Sequence, residues 1–252
     1  MIKTASVISH PSSTAEYPII GNSPAMIKVY DKIKQIGPLN VPVLIHGKHG
    51  TGKRLVAEEL HREYSKGEKI PFISVYNGHS IDTITDPSET SKPRTIFINE
   101  IGETSCDLQS TILSILKEGK PSIENRTRII ATTSMDLLGA VAEDTFNSSL
   151  YYRINGTPIY IPSLTERKDD IEILAEHFLK LYSEGHKTKL VLTPDGLEYL
   201  KNLEWKGNVT ELMNFILNAV LSSNGTSELN DEFFDRMARQ PTTVEGMLTR
   251  RK

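Results

Sequence analysis

The chain has 252 residues, a formal net charge of −3, 38% hydrophobic content and 24% charged residues, the balance of a soluble globular protein able to bury a core without disulfide staples. One cysteine, Cys106, excludes an internal disulfide and fits a reducing, cytoplasmic compartment. The N-terminal stretch has no apolar signal core, and no run of about 18 apolar residues occurs, so secretion and membrane spanning are disfavoured. The near-neutral charge also disfavours direct DNA binding through a chain-wide electrostatic grip.

Residues 1–18 mix Ser, Thr and Pro without apolar periodicity and read as a flexible N-terminal arm. From Ile19, bare apolar runs at 41–46, 71–75, 95–98, 127–133 and 157–161 have the character of strands covered on both faces. Val56, Leu60 and Tyr64 fall at helical spacing between the first two runs, as do Leu108, Ile112 and Leu116 between the third and fourth. Strands alternating with helices predict an α/β fold: a three-layer α/β/α core with a parallel sheet over residues 19–162.

The pattern changes after Pro162. The stretch at 171–182 is amphipathic, with Ile173, Leu174, Phe178 and Leu181 expected on one face and Gly185 as its stop. Thr193-Pro194 reads as a cap followed by proline in the first helical turn, and VTELMNFILNAVL and LNDEFFDRMARQ as two further helices. Residues 163–238 are therefore expected to form a small all-helical lid, and 239–252 a C-terminal tail.

The segment Gly47-Lys48-His49-Gly50-Thr51-Gly52-Lys53 directly follows the first core strand and opens the Val56/Leu60/Tyr64 helix. Glycines there let backbone N–H groups turn inward around phosphate, the helix N-terminus adds positive dipole, and Lys53 reaches the β and γ phosphates of a nucleoside triphosphate. The residue after the lysine is Arg54, where a Ser or Thr hydroxyl would ordinarily meet Mg²⁺. A guanidinium cannot ligate a cation.

Five stretches then resemble, in order, the central AAA+ domain of sigma-54-dependent bacterial transcription activators: IIGNSPAMIKVYDKI, GKHGTGKRLVAEELH, TIFINEIGETSCDLQSTILSILKEG, FNSSLYYRINGTPIYIPSLTERKDDI and WKGNVTELMNFILNAV. The resemblance implies an AAA+ P-loop core and lid holding ATP with Mg²⁺. By position, Ile20 and Gly21 would lie beside the adenine, while Gly47, Gly50, Thr51, Gly52, Lys53, Arg54, Leu55 and Asn99 would bind the nucleotide. Glu100 would orient the attacking water, and Arg153 would reach across a subunit boundary to the γ-phosphate of a neighbour.

The same alignment exposes departures. The family has Glu at Arg54, Asp at Asn99, Arg at Asn147, a sensing Arg at Thr210, Asn at Ser134 and a switch Asn at Tyr76, with Asn77 following. No GAFTGA occurs between PFISV and TIFI, a second insertion is shortened to KPSIENR, and the residues after the lid are not expected to form the family's helix-turn-helix. The resemblance thus implies an ATP-binding transcription regulator with weak or impaired hydrolysis and no direct sigma-54 contact. A non-hydrolysing adaptor acting through a protein partner is the alternative. Either would assemble as a homo-oligomer or within a mixed AAA+ ring. His46 and His49, with no carboxylate or thiol close in sequence, read as polar loop residues, Cys106 as an unactivated thiol, and the charges of ERKDDIE as local helix pairs.

Overall fold

The computed structural model describes residues 7–8, 18–76, 93–118, 127–184, 189–223 and 225–239. Strand β1 (Val7–Ile8) pairs antiparallel with β2 (Ile19–Ile20). The five apolar runs become β3 (Val43–His46), β4 (Phe72–Val75), β5 (Arg94–Ile98), β6 (Thr127–Thr133) and β7 (Pro158–Tyr160). They form one sheet, parallel throughout, in the order β4-β5-β6-β3-β7. Parallel neighbours need crossovers, and the order reverses at β3, so the C-terminal ends of β3, β5 and β6 open on one edge.

Side-chain alternation divides the core. Val43, Ile45, Phe97 and Ile130 pack with α1 (Pro24–Ile36) and α2 (Lys53–Ser65) through Met26, Ile33, Val56 and Leu60. Leu44, Ile96, Ile98, Ile129 and Ala131 point the other way, onto α3 (Cys106–Glu118), α4 (Leu137–Ala142) and α5 (Ser148–Ile154). Adjacent strand residues thus serve opposite layers, which is why the runs carry no polar alternation. Helix α1 is set by proline in its first turn and by Ser23, whose hydroxyl accepts from the Met26 N–H.

Arg128 breaks the apolar run of β6 for a structural reason. It is 1% exposed, donates to Gly37 O at 2.7 Å, Leu60 O at 2.8 Å and Ile36 O at 3.1 Å, and lies 5.0 Å from the Tyr64 ring centroid. The guanidinium fork ties the C-terminal end of α1 to α2. Burial pulls its pKa down to about 10, which still leaves it charged at neutral pH.

The chain divides into two compact units, one of the described residues up to Ser163 and one of those from Leu164. The second contains a 3₁₀ turn (Leu164–Arg167), α6 (Asp170–Ser183), α7 (Pro194–Asn202), α8 (Asn208–Ser222) and α9 (Asp231–Arg239). A two-residue parallel pair, β8 (Val191–Leu192) with β9 (Glu228–Leu229), joins α7 to α9 and was invisible as a pattern because it is so short. Thr193 caps α7 through its hydroxyl, accepting from the Gly196 N–H. Asn208, at φ 55°, accepts from the Leu164 N–H at 2.8 Å through its side-chain oxygen and so fastens the 3₁₀ turn to α8.

One expectation needs correction. The buried face of α6 is Ile171, Leu174, Ala175, Phe178 and Leu179, while Ile173 and Leu181 are only half-buried, because Ala175 extends the stripe to the other side of Leu174. The charged residues at its start form a local pair, as expected from ERKDDIE: Arg167 and Asp170, three positions apart, lie 3.9 Å from each other, and at 3% and 0% exposure the pair is buried. Among the described residues no helix is long and apolar enough to cross a membrane. Most of the N-terminal arm, residues 77–92 with Asn77 and the GAFTGA-less segment, all of KPSIENR, Gly185 and the tail after Arg239 lie outside the described residues.

Candidate functional site

The loop from Gly47 to Gly52 leaves β3 and enters α2 within six residues. Gly50 and Gly52 have φ of 74° and 97°, where a side chain would be strained. A Cβ at Gly47 would stand 2.8 Å from the Thr51 hydroxyl and 3.3 Å from Ile161. Thr51 is itself fixed by donating to Lys48 O at 2.8 Å. Gly52 occupies the N-cap of α2 without a side-chain cap, so the first amides of this 13-residue helix have no local side-chain acceptor. That combination forms a cradle for an anion.

Lys53, the first residue of α2, turns its ammonium back over the loop. It donates to Gly47 O at 2.8 Å and Lys48 O at 3.3 Å, and pairs with Glu100 at 2.8 Å. Both side chains are nearly buried, at 8% and 10% exposure. Glu100 follows β5 at φ 49°, a strained backbone that aims its carboxylate across the end of β6. Its second oxygen accepts from the Ser134 N–H at 2.7 Å and the Ser134 hydroxyl at 2.9 Å. Burial pushes the carboxyl upward, but the hydrogen bonds from Lys53 and Ser134 outweigh it and hold Glu100 below the ordinary glutamate value.

Thr132 supports this arrangement, accepting from the Glu100 N–H at 3.0 Å and donating to the Asn99 side-chain oxygen at 3.3 Å. Sequence reasoning gave Ser134 no task. The signal was its place at the C-terminal end of a strand next to β3 and β5. His49 also differs from expectation: its Nδ1 lies 4.0 Å from Glu100 and its Nε2 is 3.0 Å from the Ser134 hydroxyl, so folding supplies the nearby carboxylate that chain proximity did not. His46 is half-buried, stacked on Tyr160 at 4.7 Å, and kept below the usual histidine value by burial.

A cavity of about 440 Å³ lies at this edge, lined by His49, Gly50, Gly52, Lys53, Arg54, Asn99, Glu100 and Glu103. Arg54 reaches it from the rim. Its guanidinium donates to Glu58 at 2.8 Å and to the Tyr76 hydroxyl, and stands 5.9 Å from the Phe97 ring centroid. The Glu58 hydrogen bond, against a smaller burial penalty, raises its already high pKa.

The donor set fits a polyphosphate: an ammonium, a guanidinium, a glycine cradle and uncapped helix amides. It does not fit Mg²⁺. The place of the ligating hydroxyl holds a cation, Asn99 offers a neutral oxygen already bonded to Thr132, and one Glu100 oxygen is held by two hydrogen bonds from Ser134. Among the described residues, no three His, Cys, Asp or Glu side chains gather to hold a metal.

The other expected residues lie apart from the cavity lining. Ile20 is buried in β2, and the carbonyl of buried Gly21 accepts from the Tyr30 hydroxyl at 3.2 Å. Leu55 is half-buried against the α1/α2 core cluster. Arg153 is exposed on α5 and donates to Leu116 O at 3.2 Å. Asn147 caps α5, its side-chain oxygen accepting from the Leu150 N–H at 3.0 Å. Thr210 is exposed on α8.

Comparison with known proteins adds lineage to this geometry. The model of the sigma-54 interaction domain matches residues 20–164, and that of the AAA+ ATPase lid domain residues 165–246. The Nif-specific regulatory protein of Rhodobacter capsulatus is 35% identical over 241 residues, covering 85% of this chain and 42% of that protein. The transcriptional regulatory protein ZraR of Salmonella typhimurium is 33% identical over 243 residues, covering 85% and 55%. The chain therefore spans only about half the length of these curated relatives. Among solved structures, NtrX from Brucella abortus in complex with ADP superposes with a TM-score of 0.71 at 25% identity, covering 85% of this chain and 55% of that one. The RuvB branch migration motor of Thermotoga maritima shares the fold, with a TM-score of 0.61 at 15% identity over 86% of this chain and 68% of that one.

Proposed function

This chain belongs to the sigma-54 interaction family of AAA+ ATPases, and on that premise we propose that it is an ATP-binding transcription regulator with weak or impaired hydrolysis and no direct sigma-54 contact. The observation that carries the reading is the Lys53–Glu100 pair at 2.8 Å, at the mouth of a glycine loop that opens a helix. On this reading Lys53 moves from Glu100 and the loop carbonyls to the phosphates, which the α2 amides and the loop glycines also hold. Glu100, released on one oxygen, orients a water toward the γ-phosphate. Arg153 is offered to the nucleotide of a neighbouring subunit, where a guanidinium stabilises transition-state charge.

Several features work against turnover. Ser134 holds the other Glu100 oxygen with two hydrogen bonds, Asn99 lacks the charge of a carboxylate, and Asn147 serves as a helix cap. If two such losses each weaken transition-state stabilisation by about 2 to 3 kcal/mol, hydrolysis slows on the order of a thousandfold or more. The absence of a sigma-54 contact rests on the missing GAFTGA sequence. A non-hydrolysing adaptor within a mixed ring is the second reading, favoured by the engagement of both Glu100 oxygens.

The test is steady-state ATPase rate against protein concentration, with Lys53→Ala as control, beside size-exclusion chromatography with sigma-54. A low specific rate that rises with concentration and vanishes in the control supports impaired hydrolysis shared between subunits; a rate equal to the control supports the adaptor. A specific rate near the ordinary enzyme range of about 10 s⁻¹, or co-elution with sigma-54, would overturn the proposal.

A further inference from the structure

We infer that this site takes its nucleoside triphosphate as a metal-free anion, with the Arg54 guanidinium supplying the charge neutralisation that Mg²⁺ supplies in ordinary phosphate-loop proteins. The inference deepens the nucleotide-binding reading and rests on it. Mg²⁺ in such sites is held mostly by phosphate oxygens and water, so the protein contributes chiefly one hydroxyl and one acidic group. Here both contributions are replaced. Arg54 stands in the hydroxyl's position, and its fixed charge, one residue from Lys53, would oppose a dication there. Asn99 brings no charge, and its side-chain oxygen already accepts from Thr132.

Arg54 is also placed to do the replacement work. It lines the cavity together with Lys53, from the second residue of the helix whose N-terminus faces the loop. Its partners in this structure, Glu58 and the Tyr76 hydroxyl, are contacts of a side chain that is 51% exposed. Surface pairs contribute about 0–1 kcal/mol; with Glu58 only 13% exposed this one lies toward the upper end, and the bidentate contact to phosphate replaces it. A guanidinium binds a phosphate through two parallel hydrogen bonds, stronger and more directional than an ammonium contact. When Lys53 leaves Glu100 for the phosphates, the Glu100 and Glu103 carboxylates remain in the lining, and the Arg54 charge offsets their repulsion of the anion.

The test is ATP affinity of the whole chain by titration calorimetry, in excess Mg²⁺ and in excess EDTA, for the wild type, Arg54→Ala, Arg54→Lys and Lys53→Ala. Nucleotide-induced shifts in the thermal midpoint serve as an independent readout. The wild type is expected to change by less than about threefold between the two conditions, while Arg54→Ala loses about tenfold in EDTA and clearly less in Mg²⁺. Arg54→Lys, which keeps the charge without the fork, should fall between them. Urea midpoints of both Arg54 variants within error of the wild type would assign the loss to binding rather than folding. Wild-type affinity that Mg²⁺ tightens by about tenfold or more, or an Arg54→Ala variant that binds like wild type in EDTA, overturns the inference but leaves nucleotide binding standing. Wild-type binding in neither condition, indistinguishable from Lys53→Ala, overturns the nucleotide-binding reading and this inference with it.

Discussion

Replacing Glu100 with Gln is expected to weaken the fold while strengthening nucleotide binding. The Lys53–Glu100 pair is 2.8 Å apart, with both side chains about nine-tenths buried. At an effective dielectric of about 20 its Coulomb attraction is about 6 kcal/mol, most of it offset by the cost of taking two charges out of water. A bound phosphate has to draw Lys53 away from this partner and also sits near the remaining carboxylate charge. Glu100→Gln keeps the shape and an acceptor for Ser134 while removing both obstacles. A net gain of about 1.4 kcal/mol corresponds to about tenfold tighter ATP binding, readable by calorimetry in EDTA, where metal plays no part. Hydrolysis in Glu100→Gln should fall to the Lys53→Ala level.

The same variant has a pH signature. The Glu100 pKa is lowered on folding, so its ionised form contributes stability that is present above the unfolded value and lost as pH falls through the folded one. The stability difference between wild type and Glu100→Gln in urea should therefore be largest near neutral pH and shrink in acid below the ordinary glutamate range. An affinity that is unchanged or weaker in Glu100→Gln, or a stability difference independent of pH, would refute the view that the pair is a closed latch over the phosphate loop.

Arg128→Met, which removes a buried guanidinium serving three carbonyls, should lower unfolding free energy by about 3–5 kcal/mol in urea; a loss under about 1 kcal/mol would show that the fork does not tie α1 to α2. Gly47→Ala should weaken ATP binding with little change in secondary structure by circular dichroism, because its new methyl group meets Thr51 and Ile161 inside the cradle. Asn208→Ala should destabilise the C-terminal unit by about 1–3 kcal/mol through loss of the acceptor for the Leu164 N–H, seen as faster amide exchange at Leu164 and across the first turn of α8.

The order of strands and helices was legible from local information. A strand covered on both faces needs only a short apolar run, and a helix against a sheet needs only a repeating apolar position, so TRIIATT at 127–133 and the Val56/Leu60 spacing located β6 and α2. The glycine loop was legible for the same reason: a backbone cradle between a strand and a helix is written into consecutive residues. Faces were less secure, as α6 shows, because a small residue such as Ala175 belongs to a buried stripe only when a neighbour packs on it.

Contacts between distant segments were decided by tertiary structure alone. Glu100 could be recognised from its surrounding motif, but its bond to Ser134, 34 residues away, required β5 and β6 to lie side by side. The same proximity gave His49 a carboxylate neighbour and gave Arg54 a partner in Tyr76 at the end of β4. Arg128 interrupts an apolar strand, and only folding brings the α1 and α2 carbonyls to its guanidinium. Hydrophobic period and turn chemistry act over a few residues and so can be read along the chain. Pairing of charges depends on which strand ends become neighbours, and only the assembled parallel sheet determines that.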